Sequence, residues 1–520
     1  MTDQLAWRAA DTSVALEHRS ISEVLRTTAA RYPDRPAVVM PGADTLETLS
    51  YADLLAAAED LGGRLRAIVG EGGRVAVWSP GAISWLVTEY ACALAGLVLM
   101  PINPALTDKE ATDLLDLGDP GVLLCGGEFR GTHLLERARR FAPTGTVIAE
   151  LDHWRDQLPA APIADKPVDP SLDFLIQPTS GTTGPPKGAV LTQSAAMECG
   201  RLGMLPLEPR GHDIWCSPMP LHHVAGSVCI ALGMLSVAGT MVIQPGFDPG
   251  QALRLIEATK ATIFGAVPTI LVDMLAHPEF RRTDLSTLRV VQIGGTTVPP
   301  SLIRRIEAEL GVAVSVGYGQ SEAPSSVMTA LDDPDDIKAQ TLGRPLPHRE
   351  VKIVRSGTGE TAACGETGEF MIRSPLVMSR YLGDSAATAE VLTDDGWLRT
   401  GDLCSMDRSG ILRIQGRSRE VIIRGGENIY PAEIEHVLSA HEAIAEIAVA
   451  GVPDERWGES VAAWVRPASG RTVEPAELES WARTQLASHK VPRTWTVVED
   501  FPRTPSGKIQ KFRLPGRPQA

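Results

Sequence analysis

Short apolar runs recur along the chain. Each is closed by Gly or Pro and followed by apolar positions at helical spacing. "RVAVWSPG", "GLVLMPINP", "FLIQPTSG", "DIWCSPMP", "TMVIQPG", "ATIFGAVP", "RVVQIGG" and "VAVSVGYG" are the clearest. This alternation predicts parallel α/β sheets with helices on both faces. In open sheets of that kind ligands bind beyond the carboxyl ends of the strands. Here those ends carry Ser, Thr, Gly, His, Tyr and Glu, so polar chemistry gathers where a site is expected.

From about residue 335 to 415 the pattern changes. "EVKIV", "GEFMIRS", "WLRTGDLCSMD" and "ILRIQG" read as short strands joined by Gly- and Asp-rich turns, a small β-rich section. A compact α+β tail follows, with Pro431 suited to the first turn of the helix "PAEIEHVLSA". The segment 224–243 holds twenty residues without a charge, long enough to span a bilayer. Gly239-Thr240 reads as a helix stop before a strand, which leaves an apolar helix of about fifteen residues, too short to span. A buried helix is expected there.

The formal charge of −15, with no Lys/Arg cluster to offset it, argues against a nucleic-acid partner. The seven Cys have no CxxC spacing and read as reduced thiols of a cytosolic protein. The N-terminus has early acids and no apolar core, unlike a signal peptide.

Candidate chemistry starts with "PTSGTTGPPKG" (178–188), which cannot be a helix interior or a central strand. Gly lets backbone N–H groups approach oxygen, the hydroxyls donate and Lys187 adds charge, as in a phosphate cradle. The Walker spacing is absent, and an ordinary surface loop could have this composition. In "VGYGQSEA" Tyr318 can stack on a flat base, and Glu322 is a hard oxygen ligand suited to Mg²⁺. In "WLRTGDL" Asp402 can accept two hydrogen bonds from a ribose diol, although a turn Asp is the commoner reading. "GRSREVIIRGGENIYPAEIE" is basic and Gly-rich, and "PRTPSGKIQK" ends the chain with Lys508 on a Pro/Ser/Gly loop.

In this order and spacing, "SGTTGPPKG", "YGQSE", "RTGD", "GRSRE", "GGENIYPAEIE" and "PSGK" resemble the adenylate-forming superfamily. Its members include acyl-CoA synthetases, the adenylation domains of nonribosomal peptide synthetases and beetle luciferases. The similarity runs from about residue 20 to 513. It implies an α/β fold: a large N-terminal domain of stacked α/β sheets with a small β-rich section (1–417), a hinge (418–420) and a small mobile α+β C-terminal domain (421–520).

The implied reaction has two steps. A carboxylate attacks the α-phosphate of ATP, giving acyl-AMP and pyrophosphate; a thiol, usually that of CoA, then displaces AMP. By resemblance, Thr179, Ser180, Gly181, Thr182, Thr183, Gly184 and Lys187 hold the phosphates. Glu322 holds Mg²⁺ with Thr182 nearby. Gly295, Thr296, Thr297 and Tyr318 frame the adenine, Gly319, Gln320 and Ser321 also bind the nucleotide, and Asp402 and Arg417 hold the ribose. Lys508 bridges substrate carboxylate and α-phosphate. Arg419 is the pivot for a domain rotation that admits the thiol, and Arg424, Gly425 and Gly426 face the CoA arm. His223 gates an acyl pocket shared with Val224, Ala225, Gly226, Gly294 and Ser326. His222 beside it reads as a buried, hydrogen-bonded histidine.

Val224 stands where peptide-synthetase relatives carry an Asp, so an α-amino acid is not expected. Small, mostly apolar walls favour a hydrophobic or aryl acid, as in fatty acid metabolism. The sequence departs from the common pattern at Ser321, at Thr296-Thr297, at His348-Arg349 (where a Gly is usual) and at Arg424. CoA is the expected acceptor and a separate carrier protein the alternative. Intact Lys508, Glu322 and Asp402 argue against an inactive scaffold on this fold, whereas a luciferase-type oxygenase keeps the same motifs. A cytoplasmic protein without nucleic acid or membrane span is expected, with a homodimer open.

Overall fold

The structure is a computed structural model. It describes residues 4–517 except 165, 180–185, 296–297, 299, 356, 425–426, 455, 469 and 504–508, and the side chains of Arg419, Glu427 and Asn428 are also outside the description.

Two large sheets dominate. In the first, strands Asp173–Thr179, Val98–Ile102, Arg74–Trp78, Val122–Cys125 and Val147–Glu150 run parallel, and Lys187–Thr192 and Arg380–Tyr381 extend one edge antiparallel. In the second, Ala313–Gln320, Val290–Gly294, Ile263–Ala266, Ile214–Ser217, Thr240–Ile243 and Pro36–Pro41 run parallel. Ala323–Met328 and Arg344–Pro345 cap one edge of it antiparallel, and Leu46–Ser50 caps the other. The eight apolar runs of the sequence are all strands of these sheets.

Local chemistry fixes the helix starts. Ser50 and Asp53 form a capping box before Tyr51–Val69, and Thr107 and Glu110 form another before Asp108–Gly118. The largest apolar cluster lies between the sheets and is built from both, including Val75, Val77, Leu175, Trp215, Met241 and Leu202.

The β-rich section forms an antiparallel sheet ordered Trp7–Arg8, Glu350–Val354, Gly368–Arg373, Trp397–Met406, Leu412–Arg417. Chain 421–517 follows as a second α+β unit with its own apolar cluster around Ile434, Val449 and Val465. Pro431 opens its first helix, Pro431–Leu438, as the sequence predicts. The large α/β part and the smaller α+β part thus match the expected class.

The charge-free segment is a buried helix, but of an unexpected kind. Ala225–Leu232 is a π-helix, continued by α-helical Gly233–Ser236, and the strand Thr240–Ile243 follows. Among the described residues no helix is long and apolar enough to cross a membrane.

Candidate active site

The hydroxyl-rich loop is the tip of a hairpin. Strand Asp173–Thr179 turns back as Lys187–Thr192, with Thr179 paired to Lys187 and Pro178 to Gly188. Residues 180–185, and with them Ser180, Gly181, Thr182, Thr183 and Gly184, lie outside the described residues. The pairing at the hairpin base brings Lys187 to the sheet end. Its ammonium sits 5.1 Å from the centroid of the Tyr381 ring, within cation–π range.

Tyr381 links two motifs that are remote in sequence. Its backbone pairs with Ala189 on the hairpin, and its N–H donates to Thr388 Oγ1 at 3.0 Å. Its phenol donates to Glu322 Oε1 at 2.7 Å. The Glu322 carbonyl accepts from Met378 N at 2.7 Å, which fixes the turn that presents the carboxylate. A lysine and a carboxylate therefore meet one aromatic side chain, the lysine at its ring and the carboxylate at its hydroxyl. The sequence reading did not identify Tyr381. It lies on a two-residue strand that hydrophobic alternation cannot reveal.

A second cluster lies at the β-rich sheet. Asp402 and Arg417 are paired in register. Asp402 is 3% exposed. It accepts from Tyr318 Oη at 2.5 Å on one oxygen and faces Arg417 Nε at 3.2 Å on the other. Its backbone N–H donates to Thr400 Oγ1 at 3.1 Å. Burial and the Asp402 charge push the Tyr318 phenol well above its ordinary range. The Tyr318 ring leans on Phe370 at 5.8 Å, so it is a fixed wall.

Gly319 belongs to the tight turn below: a Cβ there would lie 2.8 Å from Ser325 N. Gln320 is half-buried with its Nε2 unpartnered among the described residues, and Ser321 is half-buried at the turn. Gly294 approaches Gly317 O, and Gly295 takes φ +83. Thr296 and Thr297 lie outside the described residues.

The acyl-pocket candidates divide by exposure. His223 is half-buried, and its Nδ1 accepts from Ala225 N at 3.2 Å. Ala225 and Cys229 are the two residues of the π-helix that are half-buried; the other six are buried. They stand about one π-turn apart and so share a face. Val224 is packed in the large apolar cluster. Gly226 abuts Pro220 O, where a Cβ would come within 2.4 Å. The buried Ser326 turns its hydroxyl to Ala323 O at 2.8 Å. Ser325, which the sequence reading passed over, donates to Cys229 Sγ at 3.2 Å.

Behind this face the π-helix touches helix Gln193–Met204 backbone to backbone. A Cβ on Gly200 would sit 2.7 Å from Gly233 N and 2.8 Å from Val228 O. His222 departs from expectation. The residue is half-buried, its Nδ1 is sealed from solvent with no partner among the described residues, and desolvation beside His223 lowers its pKa to about 3.

The hinge candidate Arg419 lies in a three-residue 3-10 turn, Ser418–Glu420, directly after Arg417, and Ser418 Oγ donates to Gly401 O at 3.1 Å. Arg424 is turned into the C-terminal unit. It donates to His489 O at 2.6 Å and lies 5.5 Å from the Trp457 ring. Gly425, Gly426 and Lys508 lie outside the described residues. The chain on either side of residues 504–508 is tied together. Arg503 bridges to Ile509, and Gln510 N donates to Pro502 O at 2.7 Å. Lys511 pairs with Glu435 at 2.8 Å and Glu420 at 3.1 Å.

Comparison with known proteins gives the family. Residues 25–382 match the model of the AMP-binding enzyme family, and 433–508 match the AMP-binding enzyme C-terminal domain. The mitochondrial medium-chain acyl-CoA ligase ACSF2 of Danio rerio is 34% identical, over 96% of this chain and 88% of its own length. The indoleacetate–CoA ligase of Aromatoleum aromaticum is 36% identical, over 94% of this chain and 96% of its own. The o-succinylbenzoate CoA synthetase of Bacillus subtilis, solved with its acyl-adenylate intermediate, superposes with a TM-score of 0.83. It is 27% identical over 95% of this chain and 98% of that one. The chain therefore belongs to the AMP-binding enzyme family: it is an AMP-forming acid–thiol ligase that makes an acyl adenylate and passes the acyl group to CoA.

Proposed function

We propose that the active site lies between the Lys187–Tyr381–Glu322 cluster and the Tyr318–Asp402–Arg417 cluster, with a phosphate end and a nucleoside end. The observation that carries this reading is the shared phenol: Tyr381 lies against Lys187 and hydrogen-bonds Glu322. The phenol orients the carboxylate beside the base of the hairpin, where a cation held by Glu322 would offset the charge of a bound polyphosphate.

On this reading Thr179, Lys187 and the 180–184 loop bind the β- and γ-phosphates. Glu322, a hard oxygen donor whose Oε1 alone takes a hydrogen bond among the described residues, holds Mg²⁺ with Thr182. The cation would draw charge from the departing pyrophosphate. Gly295, Thr296, Thr297 and the Tyr318–Ser321 turn frame the adenine, and Asp402 and Arg417 hold the ribose. Lys508 meets the two anions that must approach each other, the substrate carboxylate and the α-phosphate. A flexible ammonium suits that task because it follows the moving charge.

We further propose a domain division of 1–417 and 421–520 about the hinge 418–420. Rotation there removes Lys508 and brings Arg424, Gly425 and Gly426 toward the pantetheine arm of CoA. The acid is hydrophobic or aryl and enters past His223 along Ala225. Val224 and Gly226 support that wall from behind, and Gly294 and Ser326 close it. A cytoplasmic setting is supported by seven unpaired thiols. ATP–pyrophosphate exchange across a panel of fatty, aryl and amino acids tests the activation step. Offering CoA or a carrier protein as acceptor tests the second. Exchange with amino acids alone would sink the substrate assignment, and transfer to a carrier protein but not to CoA would sink the acceptor.

A further inference from the structure

The adenylation reading uses neither His348 nor Arg349. His348 takes the left-handed backbone, φ +63, and its Nε2 lies 2.6 Å from Val14 O. The chain turns sharply there and sends Arg349 inward. Arg349 is 2% exposed. Its Nη1 donates to Pro347 O at 2.7 Å, and its Nη2 lies 3.6 Å from Cys199 Sγ. Among the described residues no carboxylate pairs with it. Glu198, whose field reaches it, is bound to Arg201 at 2.5 Å. A buried guanidinium with only a carbonyl and a thiol for partners is strongly disfavoured unless an acceptor completes the site.

The half-buried face of the π-helix shows where that acceptor would come from. Ala225 and Cys229 stay in touch with solvent while the rest of the helix is sealed. On the reading proposed above they lie along the acyl path from His223. One turn on from Ala225, the Cys229 thiol and the Ser325 hydroxyl stand 3.2 Å apart. Ser325 is held there at φ +44, an uncommon conformation for serine. Cys199, which Arg349 touches, lies one turn before Gly203 on helix Gln193–Met204, and a Cβ on Gly203 would meet Ser325 Oγ at 2.8 Å, so the guanidinium and this hydroxyl border the same face of that helix.

We propose that Arg349, with Ser325 and Cys229, forms a polar terminus of the acyl channel. It selects acids that carry a hydrogen-bond-accepting oxygen, best of all a second carboxylate, at the end remote from the reacting carboxylate. The inference rests on the reading of this channel as the acyl site. The preferred acid then has an apolar middle and an oxygenated tail: the middle lies along Ala225 and the tail meets Ser325 and the guanidinium.

The test compares kcat/KM from pyrophosphate release for octanoate, 8-hydroxyoctanoate and octanedioate, with the matching six- and ten-carbon series. The wild type favours the oxygenated acids, the diacid most, by at least about tenfold at one length. Arg349→Met lowers that ratio at least about tenfold, and Arg349→Lys restores part of it. Ser325→Ala leaves the guanidinium in place and lowers the ratio severalfold, so it reads the same site if Arg349→Met does not fold. A wild type without tail preference overturns the proposal. So does a ratio unchanged in Ser325→Ala and in whichever Arg349 variant folds. A wild type that releases pyrophosphate only with plain acids leaves acid activation standing and removes the polar terminus. Release with no acid removes both.

Discussion

Tyr381 and Glu322 are joined by a hydrogen bond of 2.7 Å, although fifty-nine positions separate them in the chain. A phenol that donates to a carboxylate orients it and leaves its charge intact. A hydrogen bond to a charged group is worth about 1.5–3 kcal/mol. Tyr381→Phe is expected to lower the adenylation rate about 10- to 100-fold and to raise the Mg²⁺ concentration needed for half-maximal exchange. A variant with normal Mg²⁺ dependence would detach Tyr381 from the reaction.

Asp402 is the common partner of Tyr318 and Arg417. Asp402→Asn keeps the shape, removes the charge that faces Arg417 and leaves one fewer acceptor for a diol. ATP affinity measured by calorimetry is expected to fall about tenfold or more. Tyr318→Phe, which leaves the Asp402–Arg417 pair, falls less. Unchanged ATP affinity in Asp402→Asn would remove the residue from the nucleotide site.

The loop that carries Lys508 is tied at its base by Lys511 to Glu435 and Glu420. Lys508→Ala is expected to lose about 10²–10³ in acyl-adenylate formation, the usual cost of a key electrostatic donor. CoA transfer from supplied acyl adenylate stays largely intact. Lys511→Met moves the same half-reaction by a smaller factor through the loop's position. Equal loss in both half-reactions would count against a domain rotation.

Glu89 is fully buried, and neither carboxylate oxygen has a partner among the described residues. Burial pushes its carboxyl well above the ordinary 4.5. The native state keeps this proton at pH values where the unfolded chain releases it. Stability therefore falls as pH rises above about 4.5, by up to about 1.4 kcal/mol per unit until the folded group ionises. Glu89→Gln removes the slope, so its gain over wild type grows from pH 5 to pH 8 in urea melts. Parallel pH profiles of the two proteins would show that Glu89 is charged in the fold.

Strands were legible because parallel strands buried on both faces leave continuous apolar runs, as in "TMVI" and "VVQIG". The helix after Val224 was legible as apolar, but not as a π-helix. A run such as "AGSVCIAL" carries no polar marks by which a period could be measured. Asp402, Arg417 and Tyr318 were each visible as motif residues; the bonds that join them were not, because Tyr318 and Asp402 come from different sheets. The contacts of Tyr381, Ser325 and Arg349 were hidden for the same reason. Each acts through a partner far along the chain, and single-residue chemistry does not announce the partner.

At Gly200 two main chains touch, with no side chain between them to shave or swell. That contact behaves as masonry: nothing larger than hydrogen fits behind it, and nothing smaller can be taken out. On the proposed acyl path the bore on the π-helix side is set by the side chains of Ala225 and Cys229. Selection for shorter or longer acids should therefore accumulate changes at those two positions and leave Gly200 untouched. Bulk at 225 would narrow the passage for every acid, whereas bulk at 229 would shorten only its far end.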